Sequence, residues 1–251
     1  MPVDATLQSF LFVLARVAGV VVFLPVPGYR SAAWGVRAVL AMGLTLALAP
    51  KWPVVSGAPA WKLWDLGAEA ALGVSVGLVA AWLMEAFVAA MQLLGLQAGY
   101  SYASTIDPST QADSGVLQVL AQLAAGLLFF AAGLDAAMIR VFARSFDLLP
   151  PGGFRLTGEI AGAMIGFVSH SFSVGVRMAL PVIALLGLVD LALALVGRIE
   201  AQMQLLSLAF PIKMLVAMVV VGSAAPLWLP LFERSAARAV ELAARMAGGG
   251  G

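Results

Sequence analysis

From Leu66 to Ala98 the sequence runs for about 33 residues with Glu69 and Glu85 as its only charges, which as a helix at 1.5 Å per residue reaches about 50 Å. The hydrocarbon core of a bilayer is only about 30 Å thick. A helix of this kind must tilt, break or project beyond the membrane. The rest of the chain repeats the theme. Leu7–Leu24 is uncharged except for Arg16 and stops at Pro25-Val26-Pro27-Gly28. Trp34–Ala49 carries Arg37 and ends at Pro50-Lys51-Trp52-Pro53, with Trp61 and Trp64 soon after. Tryptophans at segment ends suit a membrane–water interface.

Apolar character resumes from Gly115 to Phe146, with Asp135, Arg140 and Arg144 near its far end. Pro150-Pro151-Gly152-Gly153 is the strongest break, because proline removes a backbone donor and glycine adds freedom. Beyond it Gly158–Val196 is kinked or broken at Pro181, and Ala201–Pro230 contains Pro211, Pro226 and Pro230. Leu231–Ala247 spaces Arg234, Arg238 and Arg245 as a helix would and reads as lying at, or leaving, the membrane surface. The pattern predicts an all-α integral membrane protein of about six long apolar helices, several of them proline-broken. The first apolar segment lacks the basic start and small-residue cleavage site of a secretory signal and reads as retained.

Composition excludes several classes of function. Hydrophobic residues make up 62% of the chain and charged residues 11%, with a mean hydropathy of +1.01, far from the half-apolar, quarter-charged balance of soluble domains. A net charge of +1 offers no basic face to nucleic acid. Cysteine is absent, and His170 is the one histidine, so neither a thiolate site nor a histidine-rich metal site is expected. No catalytic residues, cofactor or metal are expected.

Charges inside apolar segments are costly and normally face protein or water. Arg16, Glu85, Arg177, Asp190 and Lys213 are of this kind. They are either a polar path through the membrane, or ion pairs between packed helices or side chains snorkelling to an interface. Pro181 and Pro211 are the sites of helix bending, with Lys213 held by freed carbonyls or a partner's carboxylate. His170, among Ser169, Ser171 and Ser173, is either a proton acceptor or a hydrogen-bonded packing residue. Gly73 with Gly77, and Gly158, Gly162 and Gly166, stand at four-residue intervals that let helix backbones approach closely.

Gly99–Ser114 is polar, broken by Pro108, and charged only at Asp107 and Asp113. Irregular backbone at membrane depth survives only against protein or water. This segment is therefore either a solvent loop or one that lines or fills a channel.

Here the sequence resembles a known family. Gly99-Tyr100-Ser101-Tyr102-Ala103-Ser104, followed by Ile106-Asp107-Pro108, is similar to the segment joining the middle helices of the FliR family. That family serves flagellar protein export and has a counterpart in type III secretion injectisomes. Similar too are Leu14-Ala15-Arg16-Val17-Ala18-Gly19 with Pro25-Val26-Pro27-Gly28, Gly133-Leu134, and Ser145-Phe146 with Leu148-Leu149-Pro150-Pro151-Gly152. Leu180-Pro181, Asp190-Leu191, Arg198 and Ala209-Phe210-Pro211-Ile212-Lys213 complete an ordered set. The chain departs from the family after Asp107-Pro108, where Gln or Gly is common and Ser109-Thr110 stands here.

The resemblance implies a multi-pass subunit of the export gate in the bacterial inner membrane, within the flagellar basal body. It implies assembly with FliP-type and FliQ-type subunits into a cone of helical hairpins, contact with an FlhB-type protein, and passage of unfolded export substrates. It also implies a FliP-like part over 1–150 and a FliQ-like hairpin with a C-terminal surface helix over 151–251. The family's plug loop falls by position on Tyr100, Ser101, Tyr102, Ser104, Thr105, Ile106, Asp107, Pro108, Ser109 and Thr110. The competing reading is a small-molecule secondary transporter, with broken helices at Pro181 and Pro211 framing a midplane site.

Overall fold

The computed structural model describes residues 3–23, 34–53, 63–99, 116–199 and 205–248. Among them the elements are α1 (Val3–Val22), α2 (Trp34–Ala47), a 3-10 turn (Ala49–Lys51), α3 (Leu63–Ala98), α4 (Val116–Ala131), α5 (Leu134–Leu148), α6 (Gly158–Ile199) and α7 (Leu205–Ala247). The described residues contain no strand. The chain is an all-α membrane protein, as its apolar pattern requires.

Among the described residues, fewer than six of the apolar helices are long enough to be spans. Three helices are long and apolar enough to cross a bilayer, namely Leu63–Ala98, Gly158–Arg198 and Pro211–Ala247. A fourth exists if Val119–Ala131 and Leu134–Leu148, bent by 61°, form one broken span. Gly133, at φ 63, supplies the left-handed residue at that break, which a side chain would resist. Thr6–Val22 and Trp34–Ala47 are apolar but short. Nor do the prolines end their helices. Pro181 lies inside α6, and Pro211, Pro226 and Pro230 lie inside α7, which continues to Ala247. Proline forfeits one hydrogen bond, and a long apolar helix can continue past that single loss.

The chain divides into two compact units. The first comprises Met1–Leu83, Phe129–Ser169 and Arg234–Gly251. Here Ser9, Phe12, Val13, Arg16, Val17 and Val21 form the buried stripe of α1, at the three- and four-residue spacing of one helix face. Val13, Val17, Val21, Ala41 and Phe142 make a core cluster, with Leu14, Leu44, Trp52 and Phe146 packed around it. Glycine lets α1 and α3 cross closely. A Cβ on Gly19 would stand 2.6 Å from the Ala70 carbonyl oxygen, and one on Gly73 would overlap the Arg16 carbonyl oxygen. The end of α7 joins this unit through buried Ala236, Ala239, Ala243 and Met246, while Arg234, Arg238 and Arg245 stay exposed.

The second unit comprises Met84–Leu128 and His170–Glu233. Gly175 of α6 meets α3, where an added Cβ would lie 2.6 Å from the Ala86 carbonyl oxygen. Phe87 and Trp228 meet edge to face with centroids 5.5 Å apart. The glycines at 158, 162 and 166, by contrast, have nothing within 4 Å of an added Cβ.

Candidate functional site: two polar clusters in apolar helices

The first cluster lies in the first unit. Arg16 of α1 and Glu69 of α3 are each 1% exposed. The Arg16 Nε donates to Glu69 Oε2, and its Nη1 donates to Ser145 Oγ of α5 at 3.0 Å. Ser145 Oγ in turn donates to the Phe142 carbonyl oxygen at 2.6 Å. The guanidinium carbon also sits 4.4 Å from the centre of the Phe146 ring, a cation–π geometry.

The other carboxylate oxygen of Glu69 accepts the Gly152 backbone N–H at 2.9 Å. Gly152 stands at φ 76, and a Cβ there would come within 2.8 Å of the Asp65 side chain. The Pro150–Gly153 break is thus tied to α1, α3 and α5 through one carboxylate. A buried charge pair is tolerable when its remaining donors and lone pairs find partners. Here Nε, Nη1 and both carboxylate oxygens have them. On the exposed side of the same unit, Lys51 pairs with Asp147 at 2.8 Å.

The second cluster lies in the second unit. Lys213 of α7 pairs with Asp190 of α6 at 2.8 Å, with side-chain exposures of 12% and 45%. Gln97, near the end of α3, donates its Nε2 to Asp190 Oδ2 at 3.1 Å. Lys213, two residues beyond Pro211, is therefore held by a carboxylate of its own chain. Three helices converge on Asp190, and this cluster is more open to solvent than the first.

The remaining sequence candidates do not join these clusters. Glu85 and His170 are half-buried and engaged in interactions of their own. Arg177 is exposed on α6, as is Pro181 one turn later. Tyr100, Ser101, Tyr102, Ser104, Thr105, Ile106, Asp107, Pro108, Ser109 and Thr110 lie outside the described residues, between the end of α3 and the start of α4.

Sequence reasoning passed over Glu69, Ser145, Gly152 and Gln97 as site residues. For Glu69 a signal existed. Arg16 and Glu69 are each the sole charge near the middle or start of an apolar tract, and opposite lone charges in such tracts are natural partners.

These helices and clusters sit on a chain with clear relatives. Residues 7–239 match the family model described as bacterial export proteins, family 1. The Flagellar biosynthetic protein FliR of Escherichia coli (strain K12) is 29% identical over 230 residues, covering 90% of this chain and 88% of that protein. The protein of the same name from Pectobacterium carotovorum is 28% identical, covering 90% and 87%. That of Bacillus subtilis (strain 168) is 27% identical, covering 84% and 83%. Matched along nearly its whole length, the chain belongs to the bacterial export proteins, family 1.

Proposed function

We propose that this chain is the FliR-type subunit of a flagellar protein-export gate in the bacterial inner membrane, a structural and gating part with no catalytic step. The observation that carries this reading is the near-complete coverage shared with relatives named Flagellar biosynthetic protein FliR. A second feature supports a multi-subunit setting. Only 17% of the most apolar window of α6, and of α7, is buried by the chain itself.

In this reading FliP-type and FliQ-type subunits cover those faces, and an FlhB-type protein contacts the assembly. Residues 1–150 are the FliP-like part and 151–251 the FliQ-like hairpin, joined at Pro150–Gly153. The Tyr100–Ser114 segment plugs the pore through which unfolded polypeptides pass. Its hydroxyl side chains Ser101, Ser104, Thr105, Ser109 and Thr110 are small and uncharged, so they can move aside without stranding a buried charge.

Co-expression tests the assembly. With FliP- and FliQ-type partners the chain should purify as one large particle, whereas a monodisperse, heat-stable monomer that ignores those partners would contradict the reading. Deleting Ser104–Ala112 in the full assembly should leave the particle intact and make cells leak dye. An intact particle with unchanged permeability would remove the plug from the account.

A further inference from the structure

Arg177 occupies an unusual place. It stands near the middle of α6, about 28 Å from Gly158 and about 33 Å from Ile199 at 1.5 Å per residue. It is exposed, and it has no hydrogen bond or ion pair to another described residue. Its surroundings on that face are large and apolar, with Phe172, Val176 and Leu180 all 40–52% exposed. The backbone adds a second unmet polar group. Pro181 has no N–H, so the carbonyl of Arg177 loses its α-helical donor at the same spot. A five-donor cation and an acceptor short of its donor thus share one turn of an apolar face.

Lipid alone does not satisfy this face. Exposed Ile165 and Leu195 bound a strip about 45 Å long at 1.5 Å per residue, apolar apart from Ser169, Ser173, Arg177 and Asp190, the last paired with Lys213, whereas the hydrocarbon core is about 30 Å thick. Placing Arg177 at the headgroups would push one half of the strip, either Ile165–Val176 or Leu180–Leu195, out of hydrocarbon and into water. Burying both halves in hydrocarbon instead leaves a bare guanidinium at depth, which is costly. A protein helix packed along the strip removes both problems if it brings an acid to Arg177.

We infer that the exposed face of α6 around Arg177 receives a helix of another subunit that carries an Asp or Glu opposite the guanidinium. The inference rests on the export-gate reading only for the neighbour's identity. The neighbour's other requirement is a donor, such as a hydroxyl or amide side chain, for the freed Arg177 carbonyl.

The test places a photoreactive benzoyl-phenylalanine at Ser173 or at Leu180 in the full chain, expressed with the complete set of flagellar export genes. The adducts are then identified by peptide mass. The expected adduct is an apolar helical segment of another chain with a carboxylate within one turn of the crosslink. Arg177→Glu should lower its yield by about tenfold or more, and Arg177→Lys should hold it within about twofold, because a desolvated charge pair is lost in the first and kept in the second. Reversing the neighbour's acid to Lys should restore the yield of Arg177→Glu. Should Arg177→Glu fail to reach the membrane, Arg177→Gln serves, and it too should reduce the adduct.

Adducts to lipid alone, to a segment with no nearby carboxylate, or with a yield indifferent to Arg177→Glu would overturn the inference. A carboxylate-bearing neighbour from outside the export apparatus would contradict the proposed function while leaving the inference standing.

Discussion

Helix α3 and helix α6 are both long and apolar, yet the chain treats them in opposite ways. Of the most apolar window of α3, 67% is buried within the chain, against 17% for α6. Helix α3 is buried along most of its middle, by α1 at the Gly19–Gly73 crossing and, further along, beside Gly175 and Trp228, with Leu63, Trp64, Leu93 and Leu96 exposed towards its ends. Helix α6 buries one narrow stripe, Met164, Phe167, Ser171, Gly175, Ala179, Val182 and Leu186, and leaves the rest half-buried or exposed. Apolarity alone therefore does not reveal what covers a helix. What separates them is residue size at the crossing points and the placement of charge. The charge of α3 at Glu69 is answered inside the chain, and the charge of α6 at Arg177 is not answered among the described residues.

If α3 is the internally satisfied helix, disturbing its charge should have the largest effect. Glu69→Ala strands the Arg16 guanidinium, which is 1% exposed, and removes the acceptor for the Gly152 N–H. The expected loss is about 3–5 kcal/mol, read as reduced resistance to denaturation in detergent micelles. Replacing both members, as Arg16→Met with Glu69→Leu, should recover most of it, since apolar pairs of similar volume often replace buried ion pairs without penalty. A double variant as unstable as the single one would show that the cluster is not a self-contained pair.

Gly73→Ala comes next. Its new Cβ meets the Arg16 backbone, which cannot rotate away as a side chain would. Forcing α1 and α3 apart should cost about 1–3 kcal/mol in the same assay. Gly162→Ala, with open space around it, should fall within about 0.5 kcal/mol of the parent. Equal effects at the two glycines would erase the contrast between the helices.

The smallest effect is expected at Asp190. Its side chain is 45% exposed, and solvent screens such a pair, so Asp190→Asn should cost the isolated chain about 1 kcal/mol or less. A loss as large as that at Glu69 would mean the second cluster is as enclosed as the first.

Much of this arrangement is legible in the sequence, and the limits have physical causes. Helicity, the bilayer-scale apolar tracts and the break at Pro150–Gly153 are local properties, and the structure follows them. The continuity of α6 through Pro181 and of α7 through three prolines is not local, because the chain on either side decides whether a helix survives one missing hydrogen bond. The Arg16–Glu69 pair spans 53 residues of sequence. The opposite lone charges hint at the pair, but the close Gly19–Gly73 crossing beside it belongs to the tertiary fold and cannot be read from either segment alone. Helix α2 starts at Trp34 as the apolar tract does and stops at Ala47, two residues before the tract ends at Ala49, where the 3-10 turn begins. Residues 100–115, the candidate plug among them, fall outside the described structure.

In the proposed export-gate reading, the bare faces of α6 and α7 are covered by other subunits and not by lipid alone. The chain contains no cysteine, so a single Leu188→Cys or Val219→Cys variant, at positions 61% and 71% exposed, carries one spin label at a known place. Oxygen dissolves in hydrocarbon, so oxygen-enhanced relaxation of the label reports contact with lipid. The decisive measurement compares that relaxation in membranes holding this chain alone and in membranes holding the full set of export subunits. The expected result is strong relaxation for the chain alone and a several-fold drop at both positions in the assembly. The same strong relaxation in both membranes would contradict the claim and leave lipid as the cover of these helices.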